Sequence, residues 1–293
     1  RAYASSVEAL NCPTINTVII VAEGVPENQT RRLVALSKKL GKWVIGPATV
    51  GGIQAGAFKI GYAAGPVQNV LKGKLYRPGS VGLVTKSGGL SNEMYNVLSR
   101  STDGLFEGIA IGGDVYPGSG LIDHALRFEH IPQIKMIVIL GELGGIAEYS
   151  IVKALKEKRI TKPVICWVSG TCATVFPTEV QFGHAGAKSG SLGEGAKEKN
   201  TALKEAGAIV PQSFEDFEQK IRDTFQRLAG NVDDLELAPP KKLPKDYKQA
   251  TALGKVRRAT SFVSTICDDR GDEPLYAGVS VSELIAKEKS LGD

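Results

Sequence analysis

The stretch Gly79-Ser80-Val81-Gly82-Leu83-Val84-Thr85-Lys86-Ser87-Gly88-Gly89-Leu90-Ser91-Asn92-Glu93 decides the fold. A short apolar run, half of it β-branched, ends in a polar turn with two glycines, and the turn opens an amphipathic stretch. The same order recurs downstream. Strands are expected at 81–85, 108–111, 135–140, 163–168 and 207–210, and helices at 89–100, 119–130, 146–158, 196–205 and 213–228. Successive β-then-α units predict an α/β fold, a doubly wound parallel sheet with helices on both faces. Sheets of this kind bind ligands at the carboxyl ends of their strands.

Upstream the series is shorter. Residues 1–10 read as a helix, 17–22 as a strand, 27–40 as a helix stopped by Gly41, and 43–45 as a strand. With two clear strands before residue 79 and no G-x-G-x-x-G loop, the expectation is a nucleotide-type fold whose first half is missing. Downstream of Gly230, residues 233–247 are rich in Pro, Lys and Asp and read as a linker. The stretch 261–278 reads as a hairpin followed by a short helix, too small to form a core alone. The expected divisions are therefore 1–78, 79–229 and 230–293.

Composition narrows the function classes. The 293 residues carry a formal charge of +5, and 42% are hydrophobic, enough for a sizeable core. No basic stripe with interleaved aromatics is present, which argues against nucleic acid. No apolar run approaches the ~18 residues of a membrane span. Four cysteines (Cys12, Cys166, Cys172 and Cys267) stand at unrelated spacings, as reduced thiols of a cytoplasmic protein would.

Several turns carry chemistry. His184, one of three histidines, sits in Gln181-Phe182-Gly183-His184-Ala185-Gly186-Ala187, where small neighbours let a large group approach the ring. Such a histidine suits a nucleophile that carries a transferred group, or it is an idle loop residue. It lies in a stretch, 169–195, long enough to argue for a working loop. Ser87, Gly88 and Gly89 open a helix after a strand, a ready anion site or an ordinary βα turn. Glu142, in Gly141-Glu142-Leu143-Gly144-Gly145, ends the most apolar strand. It can orient the histidine, reach a magnesium ion, or cap a helix. Glu23, Gly24, Val25 and Pro26 repeat the strand-end pattern, and Gly46-Pro47-Ala48-Thr49 forms a second such turn; together they can line a groove for a nucleotide or pantetheine tail. Asp114 either contacts the site or shapes a turn. His124 and His130 read as surface helical residues, and Cys166 as a buried apolar residue.

Taken jointly, AEGVP at 22–26, GPATVGGI at 46–53, TKSGGLSNE at 85–93, GGDVYPGS at 112–119, GELGG at 141–145, GHAGA at 183–187 and ALKEAGAIV at 202–210 resemble the α-type module of the nucleoside-diphosphate-forming acyl-CoA synthetases. The resemblance covers residues 1 to about 229. The turn GPATVGG and the double-glycine loop at 87–89 depart from the succinyl-CoA synthetase pattern and are similar to the ATP-citrate lyase and citryl-CoA synthetase branch. So is SFVSTICDDRGDEPLYAG at 261–278, which resembles the approach to a citrate-synthase-like lyase domain.

The resemblance implies a partial Rossmann-like CoA-binding domain followed by a flavodoxin-like ligase domain. It implies that His184 takes phosphate from ATP held by an ATP-grasp β-type partner and passes it to citrate, after which CoA displaces it. Ser87, Gly88 and Gly89 would hold phosphate or citrate, and Glu142 and Glu23 would orient the imidazole. Gly24, Val25, Pro26, Ala48 and Thr49 would contact CoA. ATP, CoA and Mg2+ are the implied cofactors, in an oligomer with no nucleic acid or membrane partner; citryl-CoA cleavage would need the lyase domain. The alternatives are a succinyl-CoA synthetase-type α subunit, a non-catalytic CoA-binding module, or, from fold class alone, a nicotinamide dehydrogenase.

Overall fold

The computed structural model describes residues 1–175, 182–188, 193–240, 242, 244–254, 267–268 and 272–287. They fall in two compact units, Arg1–Pro240 and Lys241–Asp293. In the first unit, α1 (Ala2–Asn11), β1 (Thr17–Ile19), α2 (Glu27–Leu40) and β2 (Trp43–Ile45) come first. Strands β1 and β2 pair in parallel. Leu10, Ile20, Val25, Leu33 and Val44 close a small core between them and the helices. Gly41 ends α2 in the left-handed region (φ 64°), as its position after the last apolar residue predicts.

The chain continues through β3 (Gly51–Gln54), β4 (Phe58–Gly61), α3 (Val67–Lys72), β5 (Val81–Thr85), α4 (Gly88–Ser101), β6 (Leu105–Ala110), α5 (Leu121–Glu129), β7 (Met136–Glu142), α6 (Tyr149–Lys156), β8 (Val164–Ser169), α7 (Ala196–Glu205) and α8 (Phe214–Ala229). Strands β3 to β8 form one sheet in the order β4-β3-β6-β5-β7-β8. Pairing is parallel from β6 to β8 and antiparallel at β3 and β4.

β7 shows why both faces are covered. Ile137 and Ile139 enter one core with Leu121, Ala125 and Phe128 of α5 and Ile151 of α6. Met136, Val138 and Leu140 enter the other with Met94 and Leu98 of α4 and Phe217, Ile221 and Phe225 of α8. All five strand residues are at most 1% exposed. Alternate side chains of a parallel strand point to opposite faces, so a run apolar at every position needs helices on both.

Two expectations change. The strand expected at 207–210 is a single parallel bridge, Ile165 with Ile209. The segment 51–61, for which the sequence pattern predicts no strand, supplies two strands to the main sheet, so that sheet reaches back across residue 79. Glycine hides these strands from the pattern. A Cβ on Gly52 would come within 2.7 Å of the Ile109 side chain and 2.8 Å of the Gly108 carbonyl oxygen, so the close approach of β3 to β6 demands glycine.

The second unit holds α9 (Tyr247–Ala252), β9 (Cys267–Asp268), β10 (Leu275–Tyr276), β11 (Val279–Ser280) and α10 (Val281–Ala286). β10 pairs antiparallel with both β11 and β9. A hairpin and a short helix are thus present at 275–286, later in the chain than the 261–278 expected for them, whereas 261–266 and 269–271 lie outside the described residues. No helix among the described residues is long and apolar enough to cross a membrane.

Candidate active site

In the order of the parallel strands, β5 lies between β6 and β7, so successive connections leave it in opposite directions. The crevice at the carboxyl ends of β5 and β7 is the topological switch point, where ligands of doubly wound sheets bind. Ser87 follows β5 there, and Glu142 is the last residue of β7. His184 is brought to the same crevice by a tight loop. The amide of Phe182 donates to the Ala187 carbonyl at 3.0 Å, and that of His184 to the Phe182 carbonyl at 2.7 Å. Phe182 packs against the core, and Gly183 takes φ 62°, which a larger residue rarely adopts.

The central contact is between His184 Nδ1 and Glu142 Oε2, 2.7 Å apart. Glu142 is 8% exposed, so its carboxylate is largely desolvated. Because a carboxylate only accepts, Nδ1 carries the proton and the lone pair of the neutral ring lies on Nε2. The Glu142 hydrogen bond raises the His184 pKa above the ordinary imidazole value. Desolvation opposes that rise, the Glu142 charge adds to it, the Lys86 charge opposes it, and the Glu23 charge supports it.

A cavity of about 260 Å³ opens beside the pair, lined by Ser87, Leu90, Glu142, Ser169, Gly183 and His184 among others. Ser87 caps α4, its hydroxyl accepting from the Leu90 amide at 3.3 Å. A Cβ on Gly88 would collide with Val50, while one on Gly89 would meet nothing within 4 Å. The helix N-terminus therefore presents backbone donors beside the imidazole, a favourable place for an anion. Ser91 is turned inward and donates to the Gly88 carbonyl at 2.6 Å, so its hydroxyl proton is spent within the helix.

The first-layer turns are joined to each other: the Ala48 amide donates to the Ala22 carbonyl at 3.0 Å. Glu23 and Gly24 are exposed, Val25 is in the small core, and Pro26 precedes α2. Thr49 is 3% exposed. Its hydroxyl donates to the Ala110 carbonyl and accepts the Gly51 amide, so it frames the turn and has little left for a ligand. Asp114 shapes its own turn, with Oδ1 accepting the Tyr116 amide at 3.2 Å.

The reading of His124 as a surface residue is corrected. It is 1% exposed, contacts Ser119 Oγ through Nε2 at 2.9 Å, and lies 5.4 Å from the Trp43 ring. Burial, aided by the Arg127 charge, pushes its pKa down to about 3. The contact with Trp43 of β2 buries a ring that its helical neighbours Asp123, Arg127 and Glu129 would place at the surface. His130 is exposed, as expected. Cys166 is fully buried in β8, and burial pushes its thiol pKa up.

Sequence reasoning missed the residues around the pair. A Cβ on Gly113 would lie 2.6 Å from His184 Cδ2 and 2.7 Å from Nδ1, so this glycine makes room for the ring. Lys86, Glu148 and Lys199 form a buried ion triplet beneath Glu142, with Lys86 Nζ 3.1 Å and Lys199 Nζ 2.6 Å from the Glu148 carboxylate. One signal was available: Lys199 lies between Ala196 and Leu203 on the buried stripe of α7, where a lysine is out of place. Among the described residues no group of three His, Cys, Asp or Glu side chains can hold a metal ion, and Glu142 is engaged with the imidazole.

Comparison with known proteins gives the same picture at the level of ancestry. Residues 84–209 match the CoA-ligase family. The chain is 63% identical over 294 residues to a probable ATP-citrate synthase of Dictyostelium discoideum, covering 100% of the chain and 47% of that protein. It is 60% identical to ATP-citrate synthase beta chain protein 2 of Arabidopsis thaliana, with 100% and 48% covered. Against human ATP-citrate synthase it is 50% identical, with 99% and 27% covered. An ATP citrate lyase from Methanosaeta concilii, solved with (3S)-citryl-CoA, superposes with a TM-score of 0.81 at 51% identity, over 98% of this chain and 47% of that one. A Methanothrix soehngenii ATP citrate lyase, solved with citrate and coenzyme A, gives 0.80 at 51%, over 99% and 48%. The chain thus spans about half the length of most of these relatives. Along its whole length the chain is thus homologous to one part of the ATP-citrate synthases (ATP-citrate lyases), with its match to the CoA-ligase family at residues 84–209.

Proposed function

We propose that this chain is the citryl-CoA-forming module of an ATP-citrate lyase, with His184 as its phosphate carrier. The observation that carries the reading is the 2.7 Å bond from His184 Nδ1 to Glu142, set beside the helix terminus of Ser87, Gly88 and Gly89. Nε2 of His184 attacks the γ-phosphate of ATP, the P–O bond to ADP breaks, and Glu142 stabilises the positive charge that develops on the ring. Citrate then takes the phosphoryl group from His184, with the backbone donors of 87–89 neutralising charge at the acceptor. Exchange of phosphate for the thiol of CoA gives citryl-CoA. Glu23 assists the ring through its charge.

The first-layer turns, with Gly24, Val25, Pro26 and Ala48, form one wall of a CoA groove, and Thr49 supports it from within. On this reading residues 1–78 are part of a Rossmann-like CoA-binding region whose strands at 51–61 join the sheet of the flavodoxin-like ligase domain at 79–229, and 230–293 are the approach to a lyase domain. ATP is held by an ATP-grasp partner within an oligomer working in the cytoplasm. The described residues give Mg2+ no carboxylate cluster.

The test combines the chain with an ATP-grasp partner and γ-labelled ATP. Acid-labile, base-stable label is expected on the wild type and none on His184→Ala; label that survives this substitution removes the reading. Citrate is expected to discharge the label and succinate to leave it. Discharge by succinate alone would favour the succinyl-CoA synthetase-type alternative, against which the double-glycine loop and the relatives named above both weigh.

A further inference from the structure

Lys199 is fully buried on α7, and its ammonium group spends all three protons inside the protein. It donates to the Glu142 carbonyl oxygen at 3.0 Å, the Gly144 carbonyl oxygen at 2.8 Å and Glu148 Oε2 at 2.6 Å. Glu148, also fully buried, accepts the Glu142 amide at its other oxygen, 3.3 Å away. The backbone of Glu142 is therefore gripped on both sides, its N–H by Glu148 and its C=O by Lys199. The turn leaves the pair no slack: a Cβ on Gly141 would come within 2.7 Å of Glu148 Oε1. The Gly144 amide in turn donates to the Glu194 carbonyl at 2.8 Å.

We propose that Lys199 and Glu148 are positioning residues for His184, acting through Glu142: they fix the peptide from which the carboxylate reaches Nδ1 and so hold the ring in the Nδ1–H tautomer. The proposal rests on the phosphate-carrier reading of His184 for its purpose, but its geometry stands without that reading. A fully buried ion pair is a poor investment for stability alone, since an apolar pair of similar size is often as good. Here the ions reach backbone atoms that apolar side chains cannot. Lys86 is different. It binds the same Glu148 carboxylate at 3.1 Å and touches no atom of Glu142 among the described contacts, so it adds charge without the grip.

The two lysines separate position from charge. The full chain, labelled with 15N at histidine, carries three rings whose nitrogen shifts distinguish the tautomers. In the wild type at a pH where His184 is neutral, Nδ1–H is expected. Lys199→Met is expected to lower the ratio of Nδ1–H to Nε2–H by about tenfold, the order of one hydrogen bond to a charged group. Lys86→Met, which removes the same charge, is expected to leave the ratio unchanged. An unchanged ratio in Lys199→Met, or an equal change in both variants, overturns the proposal. If Lys199→Met does not fold, the double variant Lys199→Met with Glu148→Met replaces the pair by apolar groups and is read the same way: retained Nδ1–H overturns, lost Nδ1–H supports. The readout needs no ATP. A wild type that takes no phosphate but shows this response would remove the phosphate-carrier reading and leave the positioning role standing.

Discussion

At the scale of single residues, the site depends on what is missing as much as on what is present. Gly113 has no side chain where the Cβ of any other residue would collide with the His184 ring. Gly113→Ala is expected to displace the imidazole from Glu142 and to slow phosphohistidine formation by about 100-fold, since small misplacements of reacting groups cost that much. Its thermal midpoint should stay near that of the wild type, because the strain falls on a loop. Rapid-quench labelling and a melting curve measure both. His184 and Glu142 were legible in the sequence because small residues and a strand end flank them. Gly113 and Lys199 were less so, because their importance depends on which neighbour they face.

At the scale of elements, β7 carries both the core and the site, so its two ends answer to different demands. Ile139 at its centre is fully buried, and Ile139→Ala is expected to cost about 2–5 kcal/mol through lost burial and the cavity left behind. Ser213, which caps α8 by accepting the Asp216 amide at 3.2 Å, is expected to cost about 1 kcal/mol on replacement by Ala. Urea denaturation of the two variants measures the difference. The strands of the parallel sheet were readable because apolar residues at every position leave few alternatives. Strands β3 and β4 were not, because the glycines that let β3 approach β6 also read as a turn. The run at 207–210 has strand composition, but only Ile209 reaches a partner in β8.

At the scale of the molecule, one buried ring ties stability to pH. His124 projects from α5 against Trp43 of β2, and its pKa falls from the ordinary 6.5 to about 3 on folding. Between these values the unfolded chain binds a proton that the native one does not. Its contribution is therefore complete above about pH 6.5 and is lost as pH falls, with a slope approaching 1.4 kcal/mol per pH unit, roughly one proton's worth. His184, raised in pKa but partly exposed, acts weakly in the opposite sense. Urea titrations at several pH values should show the slope in the wild type and a flatter one in His124→Gln. The fold class and the order of the site turns were legible at this scale, because motif order survives in one dimension. The burial of His124 was not, because it is created by a contact with a residue far away in the chain.

The two sulfurs that flank the end of β8 draw a last consequence. Cys166 is fully enclosed within the sheet, whereas Cys172, two residues past Gly170, is exposed. An alkylating reagent must wait for β8 to come apart before it reaches the first, but meets the second at once. The chain thus carries its own pair of clocks: the slow one counts openings of the sheet, and the fast one follows whatever covers the turn after β8.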